Sequence, residues 1–225
     1  MYQARIVLLG AAVWLAWPNP VWPLAGLNDA LVRNLIPLAS FRRDFKITAG
    51  KDQGRVVPLM SRPDLADQKK SKITFGDYAT VHLAQNPLGA LLLERLDLIK
   101  NRSYVIYDPP LPVLPSDVAA VASFQRETRY RMFSADTGRL KRSGRVSHSV
   151  RRISAAQFDT PAGNVDGFFI EMDHRMEMEL LSELRINLGL GCREGEGPVF
   201  GTGQFTLTRL GVFSEVKGAA AAVMP

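Results

Sequence analysis

The sequence predicts a mainly β protein: a large curved antiparallel sheet, an open half-barrel, with a hydrophobic helix at its N-terminus. Three observations carry that prediction. Residues 165–180, VDGFFIEMDHRMEMEL, alternate cleanly. Phe168, Ile170, Met172, His174, Met176, Met178 and Leu180 share one parity, and Glu171, Asp173, Arg175, Glu177 and Glu179 share the other. A period of two belongs to a strand with one dry face and one wet face; a helix would mix the two sets around its circumference. Second, runs rich in β-branched and aromatic residues recur along the chain between turn-forming residues. Third, the hairpin preceding the alternating stretch carries Arg126, Arg129, Arg131, Arg139, Lys141, Arg142, Arg145, Arg151 and Arg152, opposite in sign to that stretch's acidic row. Neighbouring strands gain from facing opposite charges.

The N-terminus reads in two ways. One positive charge, Arg5, precedes the uncharged run IVLLGAAVWLAW, and Pro18, Pro20 and Pro23 follow. That run has about 12 residues against the roughly 20 of a membrane-spanning helix, and the layout is that of a secretory leader ending near Ala25. With the prolines tolerated, residues 6–27 reach about 22, enough for an uncleaved anchor with Trp14, Trp17 and Trp22 near an interface. Residues 1–26 are therefore expected to be a signal peptide or an inner-membrane anchor, and either places the remainder in the periplasm.

Residues 27–217 form the expected antiparallel β domain. Asn28 or Asp29 caps a short helix that Pro37 ends. FRRDFKIT is the first strand, residues 49–54 its turn, and residues 55–59 the return. Residues 61–71 are polar and read as a loop. Residues 73–83 read as one strand, and Asn86-Pro87-Leu88-Gly89 as a turn. Residues 90–99, ALLLERLDLI, fit a helix or a strand; the strand is favoured because YVIY follows a polar turn. Residues 108–115, DPPLPVLP, are too proline-rich for an interior strand and read as an edge or a crossing. Residues 119–133 and 139–153 form a hairpin, a second turn at Asp159-Thr160-Pro161-Ala162-Gly163 feeds the alternating strand, and residues 184–190 follow. Residues 194–203 read as a glycine-rich turn and residues 204–216 as the last strand. Residues 218–225, GAAAAVMP, read as a disordered tail.

Composition narrows the function classes. With 46% hydrophobic and 22% charged residues the chain is globular. Lys and Arg number 28 against 22 Asp and Glu, a net charge of +6. An excess of that size suits an anionic membrane surface or an acidic partner, and no nucleic-acid motif accompanies it. The leftover cations are candidates for contact with lipid phosphates. The single cysteine, Cys192, excludes an internal disulfide and a multi-thiolate zinc site.

The TPAG turn before a long alternating strand, followed by GEGPVFGTG and a closing strand, resembles uncharacterised bacterial envelope proteins similar to the lipoprotein-carrier superfamily of the LolA and LolB type. The resemblance covers residues 108–217. It implies a curved antiparallel sheet around an apolar concavity and brings no catalytic residues. The N-terminal half matches no motif, and the lipidated cysteine is missing.

Four places are candidates for chemistry. Met172, His174, Met176 and Met178 share a strand face and have the donor types that Cu(I) accepts, although methionine also fills irregular cores. His148 shares an apolar face with Leu140, Val146 and Val150 and is expected across from His174. Cys192 is a candidate thiol partner for His82 or His174, but it continues the apolar face of Leu184, Ile186, Leu188 and Leu190. GEGPVFGTG lacks the lysine of a phosphate loop, so no cofactor is expected. The function expected is a non-enzymatic envelope protein that binds a membrane lipid or acyl chain. Phe124, Tyr130, Met132, Phe168, Ile170, Met172, Met176, Leu207 and Phe213 are its expected ligand-facing residues. The alternative is a structural accessory subunit of an inner-membrane complex, held by the N-terminal helix.

Overall fold

The computed structural model describes residues 28–121, 124–161, 163–178, 182–209 and 212–223. The leader or anchor, with Trp14, Trp17 and Trp22, lies outside them. One short helix, α1 (Asp29–Asn34), precedes twelve strands. These are β1 (Phe41–Ala49), β2 (Val56–Pro63), β3 (Lys70–Phe75), β4 (Ala79–Gln85), β5 (Leu91–Leu98) and β6 (Ser103–Leu114). The second half holds β7 (Gln125–Ser134), β8 (Leu140–Thr160), β9 (Gly163–Met178), β10 (Ser182–Arg193), β11 (Gly197–Arg209) and β12 (Val212–Ala222). Each strand pairs antiparallel with its sequence neighbours, and β12 pairs with β1. The sheet is therefore a closed barrel and not the open half-barrel expected.

Closure comes from the segment expected to be a disordered tail. Phe45 pairs with Ala222, Lys46 with Ala221 and Ile47 with Ala220, and the Val223 amide donates to the Asp44 carbonyl at 2.7 Å. The alanines offer little to pack, which is why the run reads as a tail. Their backbones supply the last ladder, and small side chains fit opposite Phe45 and Ile47. Two further runs divide. Residues 73–83 are parts of β3 and β4, split by a turn at Gly76, whose φ is +50. Residues 204–216 belong to β11 and β12, and residues 197–203, expected as a turn, open β11. The polar stretch at 61–71 is not all loop: Ser61 and Ser71 face inward on β2 and β3 and share a buried hydrogen bond of 2.8 Å. The serines look loop-like in sequence, but the pairing satisfies both hydroxyls. Residues 91–98 form a strand, as favoured. The proline-rich half of β6 keeps its ladder with β5, while its ladder with β7 ends at Asp108. This is the one-sided pairing that proline allows.

The wall separates two chemistries. One inner row of cross-strand partners runs Ser61, Ile73, Val81, Leu96, Val105 and Met132. An adjacent outer row runs Lys72, His82, Arg95, Ile106 and Arg131. The expected charge pairing across β8 and β9 is present: Arg151 pairs with Asp173, and Arg152 with Glu171 at 2.5 Å. On β10, Glu183 pairs with Arg175 at 2.6 Å and also with Arg185. Ionic side chains in mid-strand on the outer face are the reverse of the apolar band of a membrane-spanning barrel. Among the described residues no helix is long and apolar enough to cross a membrane.

One end of the barrel is plugged by α1. Asn28 caps it by accepting from the Leu31 amide at 2.9 Å, and Leu31, Val32 and Leu35 are buried. Asp29 accepts from the Val118 amide, Arg33 donates to the Ser116 carbonyl, both at 2.9 Å, and the Gly195 amide reaches the Asn34 carbonyl. The helix thus bridges the β6–β7 connection and the β10–β11 turn. At the other end Tyr130 donates to the Glu177 carbonyl at 3.1 Å, passing Gly144. A Cβ at Gly144 would run into that carbonyl oxygen and lie 3.0 Å from the Tyr130 ring. Gly144→Ala is therefore expected to destabilise the barrel by about 2 kcal/mol, the usual cost of overpacking. Urea unfolding measures it.

Candidate ligand-binding site

On the inner face of β8 to β11, side chains form cross-strand rows. Val146, Met176, Leu184 and Leu207 make one row, and His148, His174, Ile186 and Phe205 the next. Val150, Met172, Leu188 and Gly203 follow, then Ile153, Ile170, Leu190 and Gly201. Burial changes along each of the first two rows. Val146, Met176, His148 and His174 are buried, Leu184 and Ile186 are half-buried, and Phe205 and Leu207 are 41% and 37% exposed. The last two share the inner parity of the core and still meet solvent. Since β11 leaves the plugged end at Gly197, Phe205 and Leu207 lie toward the opposite end. At that end β10 and β11 present apolar inner-face surface to solvent, a mouth whose β8 side carries Arg142 against Met178.

Behind the mouth lies a group of rings. His148 and His174 have centroids 5.8 Å apart; Tyr107 stands 6.3 Å from His174, and Phe124 6.3 Å from His148. His148 Nε2 lies 2.9 Å from the Val113 carbonyl. A carbonyl can only accept, so Nε2 carries the proton and Nδ1 is a bare acceptor. That Nδ1 and the Tyr107 hydroxyl are buried without a hydrogen-bond partner. Burial lowers the His148 pKa to about 4, against the opposing pull of the Val113 carbonyl and of Asp173. Burial and then the neighbouring His148 lower that of His174 to about 3. Burial, reinforced by Tyr130, raises that of the Tyr107 phenol. The cluster is uncharged at neutral pH.

The expected ligand-facing residues divide. Ile170, Met172 and Met176 line the inner face of β9, Tyr130 and Met132 that of β7, and Phe124 packs on His148. Of these, Met132 alone is not fully buried. Phe168 pairs with Cys192, and Leu207 is at the mouth. The side chain of Phe213 lies outside the description; its backbone pairs with Thr208, one step out of phase with Leu207. Tyr107, Ile186 and Phe205 were missed. Leu207 was named, and Phe205, two residues earlier in QFTLT and of the same parity, was passed over although the alternation places it on the same face. Tyr107 sits in YVIY, where both parities are apolar.

The other candidates resolve as follows. Met178 is drawn to Arg142, whose Nη1 lies 3.2 Å from its sulfur. Among the described residues no group of three or more His, Cys, Asp or Glu is placed to hold a metal. Cys192 is fully buried with its thiol pushed up to about 12 by burial. Its partner Phe168 is six residues from His174, roughly 20 Å along a strand. His82 is bound to Asp97 at 2.7 Å. No thiol–imidazole pair forms with His174. On the outer wall Asp108, Arg129, Arg131, Ser143 and Arg145 line a concavity of about 570 Å³, in which Arg131 pairs with Asp108 and Arg145 with Glu127.

No family model and no curated protein matches the chain. Two solved structures resemble it. One is the hypothetical lipoprotein YmcC from Escherichia coli K12, 11% identical, with 84% of this chain and 88% of that one covered and a TM-score of 0.38. The other is a putative lipoprotein from Parabacteroides distasonis ATCC 8503, 9% identical, with 84% and 97% covered and a TM-score of 0.37.

The two histidines make stability depend on pH. Their folded pKa values lie below the unfolded value of about 6.5, so the unfolded chain binds more protons as pH falls. Stability is full above pH 6.5 and declines toward pH 4, by on the order of 3 kcal/mol per imidazole. Urea midpoints measured from pH 8 to pH 4 should show the decline, and His174→Leu should flatten it.

Proposed function

We propose that the protein is a non-enzymatic binding protein of the bacterial envelope that takes an apolar chain, such as an acyl chain, into the mouth of its barrel. The supporting observation is the exposure of Phe205 and Leu207, two large apolar side chains of inner parity. Exposed apolar surface has a free-energy cost that a ligand relieves. Because the surface faces into a ring of strands, a slender chain fits it and a flat partner surface does not. Half-buried Leu184 and Ile186 continue the apolar path toward Met176 and His174. The Arg-lined concavity on the outer wall fits an approach to an anionic membrane surface. The signal peptide or anchor expected at residues 1–26 is the reason for assigning the envelope. The accessory-subunit reading rests on those same residues, and the described part adds nothing in its favour.

The test is displacement of an apolar fluorophore, N-phenylnaphthylamine, by 1-hexadecanol. Wild-type protein should bind the dye, and hexadecanol should displace it. Phe205→Asp and Leu207→Asp should each weaken binding at least tenfold, about 1.4 kcal/mol, with urea midpoints unchanged. Binding that ignores both substitutions would contradict the proposal.

A further inference from the structure

We infer that the cluster of Tyr107, His148 and His174 receives the polar, uncharged end of the ligand, a hydroxyl or a protonated carboxyl group. The inference rests on the binding mouth proposed above and specifies its occupant. Elsewhere in the barrel interior, buried polar groups are paired. Ser61 and Ser71 bond each other at 2.8 Å, Thr128 donates to the Pro109 carbonyl at 2.7 Å, and Tyr130 donates to Glu177. The Tyr107 hydroxyl and His148 Nδ1 depart from that rule although their residues are only 2% and 3% exposed. A buried polar atom without a partner is costly and calls for a missing group.

The two atoms define the chemistry of that group. Tyr107 has a proton to donate. His148 Nδ1 has a lone pair to offer, since Nε2 is committed to Val113. Tyr107 calls for an acceptor and His148 Nδ1 for a donor, each ring standing beside His174; a hydroxyl or a carboxylic acid offers both and a hydrocarbon neither. A carboxylate lacks the donor and would need a cation, and the neighbours of the cluster, Phe124, Met172, Met176 and Tyr130, supply none. The anion whose field reaches His148, Asp173, is paired with Arg151 on the outer face, so a quaternary ammonium finds no free carboxylate in the cluster. His174 joins the cluster to the mouth, because His174, Ile186 and Phe205 are successive partners across β9, β10 and β11. Two interstrand steps span about 10 Å, so a chain passing Phe205 and Ile186 brings one end to the rings.

Displacement of N-phenylnaphthylamine by chains of equal length tests this. Dodecane, 1-dodecanol and dodecyltrimethylammonium are compared on wild type, Tyr107→Phe and His148→Leu. Wild type should bind dodecanol at least tenfold tighter than dodecane and prefer it over the cation. Tyr107→Phe, which removes one oxygen and leaves the ring, should reduce the dodecanol advantage to within about threefold and leave dodecane unchanged. His148→Leu should do the same, and if it fails to fold Tyr107→Phe decides alone. Equal affinity of wild type for dodecane and dodecanol overturns this inference and leaves the apolar mouth standing. Failure of all three chains to displace the dye overturns both. A crystal structure with dodecanol in which its hydroxyl lies away from Tyr107 and His148 overturns this inference alone.

Discussion

The seam between β1 and β12 is the constraint on which everything else depends. Twelve strands in sequence order would make an open ribbon with two unpaired edges. A short ladder of Ala219 to Ala222 against Phe45 to Ala49 turns it into a tube. Closure removes both edges, which otherwise invite pairing with other chains. It also creates an inside. Without the seam the row from His148 to Phe205 would be a patch on an open face; with it, those residues line an enclosed space with a plug at one end.

Enclosure explains the divided chemistry of the wall. Outward positions carry arginines and carboxylates that pair across strands, among them Arg152 with Glu171 and Arg175 with Glu183. Being exposed, such pairs contribute little individually, yet they keep the outside wet and the parity unambiguous. Inward positions are apolar, and most of the polar exceptions are satisfied. The imidazoles of His148 and His174 remain neutral because they are buried, and the same burial makes the unpartnered atoms beside them informative.

Much of this was legible in the sequence, for reasons that are physical and local. The alternation in β9 reveals its dry face, since a one-residue slip would bury Glu171 and Asp173. The opposed charges of β8 and β9 reveal their pairing, and with it the meeting of His148 and His174. Closure was not legible. Alanine carries no parity signal and no strand preference, so GAAAA offers nothing to distinguish a seam from a tail. The inward serines of β2 and β3 misled for a related reason: their burial depends on each other, and a one-dimensional reading cannot see a partner ten residues away. Tyr107 was missed because both parities of YVIY are apolar, whereas Phe205 was within reach, since it shares the parity of Leu207.

The most direct test of the closed barrel is native-state hydrogen exchange at residues 219–222, followed beside the amides of β9. In a closed barrel these amides are held between β1 and β11, and the Val223 amide is bonded to Asp44 of β1; all exchange slowly, with protection that rises and falls with global stability. Exchange within seconds at 219–222, while β9 stays protected, would mean that the chain ends in a free tail, the tube is open, and the enclosed site does not exist.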